Sequence, residues 1–266
     1  MTETIDRRVR LRSTANFRDM GGLPVDGGAF AKGQVFRSAA LADLADDERD
    51  LVDELGIGVV YDLRTRDEAL ARPDRLPTAA RLVGLDVMAD GNTNLAAAFG
   101  KLATDPSELG EVLSSGRFRE LLNETYRDFV VLPSAIASYR ELFRGIADPE
   151  RSGAALFHCA VGKDRTGWAA ASLLMLLGAD EATIHSDYLQ TNDDLLPSLE
   201  PMIVEVASKG GLDPELLRDA FGVELGYLDA ALDELDSRFG SAERYFSDGL
   251  GLDASTIDAL RTRLVA

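Results

Sequence analysis

"AALFHCAVGKDRTGWAAASLLMLLG", residues 154–178, decides how the chain is read. "AALFHCA" is a short apolar strand, the charged and glycine-containing turn that follows is a loop, and the Ala/Leu-rich run closed by Gly178 is a buried helix. A strand that feeds a tight loop into a helix N-terminus turns several backbone N–H groups toward one point. The positive end of the helix dipole adds to them, so the segment is a candidate anion cradle. Gly162 lets the loop bend and lets a bound group approach without interference from a Cβ.

The residues inside this loop carry a specific chemistry. Cys159, the one cysteine of the chain, stands at the mouth of the cradle, where cationic neighbours and a helix N-terminus favour the nucleophilic thiolate. Arg165 follows six positions later, and its planar fork can hold two oxygens of a phosphoryl group. A phosphate monoester bound there presents phosphorus to sulfur in line and passes through a phosphocysteine. The leaving oxygen then needs an acid and the second step a base, which one carboxyl group can supply. Asp164, inside the loop, is the first candidate, and Asp86, at the end of "RLVGLD", is the second. Thr166 is placed to hydrogen-bond the sulfur. Lys163 adds local positive charge and can contact substrate or pair with Asp164. His158 precedes the cysteine on the strand, so its side chain points to the other face and its expected role is to order the loop.

Plainer readings exist for each residue. Cys159 by itself could be a small buried hydrophobe, Asp164 a helix N-cap, and Lys163 merely solvated; His185 is read as structural. Other motifs fail: "VGKDRTG" has Asp where a Walker loop needs Ser or Thr after Gly-Lys, no G-x-S-x-G elbow exists, and "GIGVVY" is not a dinucleotide fingerprint.

Outward from this segment, "GQVFRSAAL" (33–41) and "IGVVYDL" (57–63) are strands, and "DLADDERDLVDELG" (43–56) is a helix with Leu44, Leu51, Val52 and Leu55 on one face. "RLVGLDVMAD" (81–90) is a further strand running into a loop, and residues 90–116 are weakly patterned. "FRELLNETYRDFV" (118–130) and a segment starting near Pro133 are helices. Strand alternating with helix predicts an α/β sandwich around a mainly parallel sheet. Beyond residue 180 nearly everything is helical, with "DEATIHSDYLQTN" followed by "DDLLPSLEPMIVEVASKGG". A stripe then runs from Leu217 through Leu228 to Phe239, which reads as core packing broken or kinked at Gly222 or Gly226. One domain over 1–266, with 180–266 as a helical extension, is the expected organisation.

The 266 residues hold 46 acidic against 28 Lys and Arg side chains, a formal charge of −18. That balance excludes nucleic acid as a partner bound by the whole surface, and an anionic substrate must be captured at short range. One cysteine and two histidines, His158 and His185, make neither an intramolecular disulfide nor a zinc constellation, so neither metal nor cofactor is expected. The first seventeen residues are charged and lack the apolar core of a signal peptide, and no run of 18 apolar residues occurs. The expectation is a cytoplasmic chain with no membrane insertion, compatible with export by a route that needs no signal peptide.

His158, Cys159 and Arg165 meet the His-Cys-x5-Arg signature, and the chain resembles the cysteine-dependent protein tyrosine phosphatases. "NFRDMGG", "VFRSAAL", "DLRTRDE", "HCAVGKDRTG", "DYLQTND" and "GVELGYLDAAL…FGSAERYF" are similar, more narrowly, to the bacterial PtpB-type, triple-specificity phosphatases. The resemblance implies a phosphatase sandwich with a C-terminal helical lid, and Asp164 as general acid. It also implies phosphate contacts from Ala160, Val161, Gly162, Lys163, Asp164 and Arg165. Implied substrates are phosphotyrosyl proteins, with phosphoserine/threonine proteins and phosphoinositides beside them, and inorganic phosphate is the product. Inositol polyphosphates are the alternative substrate, and a phospho-ligand-binding module without turnover the alternative from another class. Asn16, Arg18 and Asp19 match an N-terminal motif whose chemistry does not follow from spacing, a turn-forming role being the other reading.

Overall fold

The structure, a computed structural model, describes residues 6–91 and 106–266. Most of the weakly patterned stretch at 90–116 thus lies outside the described residues. Seven strands are seen: β1 (Arg18–Asp19), β2 (Pro24–Val25), β3 (Gly28–Ala29), β4 (Val35–Ser38), β5 (Ile57–Asp62), β6 (Arg81–Gly84) and β7 (Ala154–His158). The main sheet has the order β1-β4-β7-β5-β6, with β4, β7, β5 and β6 mutually parallel and β1 antiparallel at the edge. β7 is central, and all five of its residues are buried.

Because side chains alternate across a strand, the sheet serves two cores at once. Val35, Val59, Tyr61, Ala155 and Phe157 face the larger one, while Phe36, Ile57, Val60, Ala154 and Leu156 face a smaller one with Phe17, Leu41, Leu44 and Val52. Helix α1 (Asp46–Asp53) covers the smaller core. It buries Val52 but leaves Leu51 43 % exposed, because adjacent residues on a helix point about 100° apart. The expectation of Leu51 on the inner face is therefore corrected.

The remaining helices are α2 (Arg66–Ala71), α3 (Pro106–Ser114), α4 (Arg117–Val131), α5 (Pro133–Ala147), α6 (Asp164–Leu176), α7 (Glu181–Gly210), α8 (Pro214–Phe221), α9 (Leu225–Phe239), α10 (Ala242–Arg244) and α11 (Ala254–Leu264). Together they make a mixed α/β fold with a mainly parallel sheet flanked by helices. The two segments read from residue 180 onward form one helix, α7, which carries Pro197 and Pro201 in its interior. The stripe beyond it breaks at Gly222, where a Cβ would lie 2.8 Å from Asn192 Oδ1 and 3.0 Å from the Arg218 carbonyl. Gly226, by contrast, sits inside α9 with open space beside it.

The C-terminal helices are built into the main core. Tyr227, Leu228, Ala231, Leu235, Tyr245, Phe246, Leu260 and Leu264 all belong to it, with α9 against α4 and α11 against α5. Each such fully buried apolar side chain contributes on the order of 1.5–3 kcal/mol. Trp168 of α6 is completely buried and donates from Nε1 to Tyr245 Oη at 3.3 Å. Only Ile203, Ala207 and Leu217 of α7 and α8 form a separate small cluster. No described helix is long and apolar enough to cross a membrane.

Candidate active site

The loop between β7 and α6 opens at the carboxyl ends of the parallel strands, where open α/β sheets place their ligands. Its conformation follows from what each carbonyl does. His158 Nδ1 donates to the Cys159 carbonyl at 3.0 Å, and the Ala40 N–H to the Ala160 carbonyl at 3.2 Å. Asn16 Nδ2 donates to the carbonyls of Val161 (3.4 Å) and Gly162 (2.7 Å), Arg37 Nη2 also to Gly162 (3.0 Å), and the Gly167 N–H to Lys163 (2.6 Å). In a trans peptide C=O and N–H point opposite ways, so the N–H groups of residues 160–164 face away from all these donors. Among the described residues none of those five N–H groups has a protein acceptor.

Gly162 makes the tight bend with φ +70°, and a Cβ there would sit 2.4 Å from the Ser38 carbonyl oxygen. Cys159 is 2 % exposed and the only cysteine. It lies close to Arg165 and Tyr139.

Arg165 is held from a distant element. Its Nη1 donates to Glu68 Oε2 at 2.6 Å and its Nη2 to Oε1 at 3.0 Å, while Tyr139 Oη donates to the Arg165 carbonyl at 3.1 Å. This end-on grip uses one proton from each terminal nitrogen and leaves the Nε–H edge of the fork for a second pair of oxygens. Glu68 also closes a capping box on α2, accepting from the Thr65 N–H at 2.8 Å while Thr65 Oγ1 accepts from the Glu68 N–H. Burial works to raise the pKa of Glu68, but Arg165 and Thr65 outweigh it and hold the carboxyl at about 2. Burial likewise disfavours the charged guanidinium, yet Glu68, Cys159 and Asp164 bring Arg165 above the ordinary arginine value.

Asp164 begins α6 and accepts from Tyr126 Oη at 3.0 Å through Oδ1. Tyr126 and Tyr188 hydroxyls are 2.6 Å apart, and burial first, then Asp164, raises both phenol pKa values far above the ordinary 10. Both therefore stay protonated, and Tyr188 donates to Tyr126, which donates to Asp164. The other carboxyl oxygen, Oδ2, has no hydrogen-bond donor among the described residues. Lys163 Nζ lies 3.4 Å from Asp164 Oδ1 and donates to the Gly222 carbonyl at 2.9 Å, past the end of α8. Of the two readings offered for it, contact with substrate or pairing with Asp164, the structure forms the pair.

Asp86 is committed elsewhere: Oδ2 accepts from the Arg66 N–H at 2.9 Å, at the start of α2, and Oδ1 from the Met88 N–H at 3.1 Å. Thr166 Oγ1 is buried and makes no hydrogen bond to any described residue, Cys159 included. His158 is fully buried, with Nε2 3.2 Å from Asp74 Oδ2. Burial opposes ionisation of Asp74, but His158 and Arg64 lower its pKa below the usual value. Asp62, Asp74 and His158 lie close enough together to surround a cation, but Arg64 Nη2 already bridges both carboxylates at 2.7 Å each, so a guanidinium fills that role. His185 Nε2 lies 3.7 Å from Glu181 Oε1 on the same helix, a local contact.

Beneath the loop three arginines converge on one acid. Asp187 accepts from Arg7 Nη2 (2.7 Å), Arg18 Nε (3.2 Å) and Arg37 Nη1 (2.7 Å). Burial opposes its charge and the three guanidinium groups override burial, driving its pKa far below the usual range. Arg18 Nη1 donates to Asn16 Oδ1 and Nη2 to the Asp187 carbonyl at 2.9 Å. Asp19 alone of its motif is a turn former, accepting from the N–H groups of Gly21 and Gly33 at 2.8 Å each.

Glu68, Tyr126, Tyr188, Arg37 and Asp187 are the site residues that spacing did not reveal. A signal existed for one: Thr65-x-x-Glu68 is a capping-box pattern, although it places Glu68 on a helix without aiming it at Arg165.

A family model described as the tyrosine phosphatase family matches residues 9–266. The triple specificity protein phosphatase PtpB of Mycobacterium tuberculosis is 31 % identical over 272 residues, covering 92 % of this chain and 95 % of its own. A tyrosine-protein phosphatase of Nostoc commune is 30 % identical over 232 residues, 86 % of this chain and 73 % of its own. A Cupriavidus necator protein is 31 % identical over 248 residues, 91 % and 84 % respectively.

Proposed function

From the premise that the chain belongs to the tyrosine phosphatase family, we propose that it hydrolyses phosphotyrosyl proteins through a phosphocysteine at Cys159. One observation carries the reading. All five carbonyls from Cys159 to Lys163 accept hydrogen bonds, and the five N–H groups of Ala160 to Asp164, next along the chain from the single thiol, have no acceptor among the described residues.

Each group has a part in the chemistry. The N–H groups of Ala160 to Asp164 and the open edge of the Arg165 fork take the non-bridging oxygens, and their donors match the charge that spreads over them in the transition state. The Cys159 thiolate donates its electron pair to phosphorus while the bond to the tyrosyl oxygen breaks, and that oxygen takes the proton from Asp164 Oδ2. Asp164, now a carboxylate, accepts a proton from water as the water attacks phosphorus. The S–P bond breaks, releasing inorganic phosphate and restoring thiolate and acid. Asp164 is the acid rather than Asp86, since both Asp86 oxygens already accept backbone hydrogen bonds.

The test is a side-by-side rate comparison on a phosphotyrosyl peptide, a phosphoseryl peptide and a phosphoinositide, with Cys159→Ser as the blank. The triple specificity of the Mycobacterium tuberculosis relative makes the last two substrates the natural extension of the first. Hydrolysis of phosphotyrosine that vanishes in Cys159→Ser, with phosphate binding retained, is the expected result. Turnover surviving in the variant would refute the nucleophile, and binding without turnover in the parent would leave a phospho-ligand module.

A further inference from the structure

Asn16 is the only non-glycine residue with positive φ among the described residues, at +58°. Holding an L-residue in that left-handed region costs roughly 1–2 kcal/mol, and such strain persists where the surroundings over-determine it. Here they do. The residue is 3 % exposed, and neither polar atom of its side chain serves a local turn. Arg18, which can only donate, occupies Oδ1 and so fixes which way the amide points. Nδ2 then faces two consecutive loop carbonyls 145 and 146 residues away in sequence.

We infer that Asn16 is a positioning residue for phosphoryl transfer: with Arg37 it pins the Val161–Gly162 and Gly162–Lys163 peptides so that the N–H groups of Gly162 and Lys163 face the phosphoryl oxygens. The inference rests on the phosphatase reading above. A loop containing a glycine at φ +70° has no intrinsic reason to keep these two peptide planes in one orientation. Two donors on the Gly162 oxygen supply one: rotating that peptide would break both bonds and bring its N–H against Asn16 Nδ2 and the Arg37 guanidinium. The positive charge behind the carbonyl also polarises the peptide and strengthens the N–H on its far side. Arg37 is itself fully buried and held by Asp187, so its part of the support sits on β4 and α7, and Asn16 brings the rest from the segment before β1. Asn16, Arg37 and Asp187 thus keep the cradle in its anion-ready shape before substrate arrives, and need never touch it.

The experiment compares Asn16→Gly, which keeps the backbone conformation and removes the amide, with Asn16→Asp. The latter keeps the shape and the bond from Arg18 but sets an oxygen against two carbonyl oxygens. Thr14→Val, in the same segment and with a buried hydroxyl that has no partner, is the control expected to match the parent. Steady-state kinetics on a phosphotyrosyl peptide, inhibition by orthovanadate as a five-coordinate phosphoryl mimic, and thermal unfolding are measured on each. Because misaimed donors fail the transition state more than the ground state, kcat should fall about 10- to 100-fold with KM changing less than about threefold. Vanadate inhibition should weaken by the same factor as kcat/KM, and Asn16→Asp should lose more than Asn16→Gly. Both variants within about twofold of the parent in kcat and vanadate inhibition would overturn the inference. So would a loss that Thr14→Val shares in full. Should the Asn16 variants not fold, Arg37→Lys carries the same vanadate test with the same two outcomes. A parent that vanadate does not inhibit, or a Cys159→Ser chain that still turns over, would overturn the phosphatase reading itself, whatever Asn16 does.

Discussion

Replacing Glu68 by Gln removes one negative charge while keeping the length that closes the capping box with Thr65, so it isolates the grip on Arg165. Glu68 ordinarily titrates at 4.5 and is held at about 2, a difference equivalent to about 3 kcal/mol. The side chain is 37 % exposed, and solvent screening reduces this to about 1–2 kcal/mol. If that energy is what keeps the Arg165 fork aimed, its loss lowers kcat about 5- to 30-fold. KM should stay level or fall, because the uncompensated guanidinium attracts a ground-state phosphate at least as well. Stability follows the depressed pKa. The contribution of the pair is complete above about pH 4.5, where Glu68 is charged in both folded and unfolded chains, and is lost as pH falls through about 2. The stability gap between parent and Glu68→Gln should therefore be constant near neutrality and close in acid. Aryl phosphate kinetics at pH 6–8 and urea unfolding from pH 7 downward check both arms. A kcat within about twofold of the parent, with Arg165→Lys severely impaired, would refute the claim that Glu68 aims the fork.

Asp164→Asn should depress hydrolysis of alkyl phosphates by about 10²–10⁴-fold and of esters with good leaving groups far less, while Asp86→Asn leaves that dependence unchanged; a leaving-group series separates them. Gly162→Ala should destabilise by about 3–5 kcal/mol, because its Cβ meets the backbone of Ser38 and Ala39 as well as an unfavourable φ, and thermal unfolding reads the loss directly. Peroxide should oxidise the Cys159 thiolate to a sulfenic acid with loss of activity and no intramolecular disulfide, since no second cysteine exists; non-reducing gels and intact mass would show a disulfide if one formed.

What was legible in the chain is what adjacency enforces. Cys159, Arg165 and Asp164 lie within seven residues, so any strand, tight loop and helix must bring them together, and the left-handed φ of Gly162 is what such a bend requires. Strands β4 to β7 of the sheet were likewise visible as apolar runs between turn residues, whereas β1 is a polar pair, Arg18–Asp19, that only pairing with β4 makes a strand. Other features were not local. Leu51 and Val52 are both apolar, and only the partner surface decides which is buried; Pro197 and Pro201 look like helix breaks, yet α7 runs through them. Asp86 follows a strand as a catalytic acid would, and only its two backbone donors show it holding α2 and the following turn.

The sequence by itself determined the loop and the place in it of Cys159 and Arg165, the proposed nucleophile and clamp, because covalent spacing limits where ten consecutive residues can go. The tertiary structure alone decided their support. Glu68 reaches Arg165 from 97 residues away, Tyr126 reaches Asp164 from 38, and Asn16 and Arg37 reach Gly162 from 146 and 125. Hydrogen bonds over such separations depend on how sheet and helices pack. Spacing singled out the candidate groups, and packing supplies the partners that hold them.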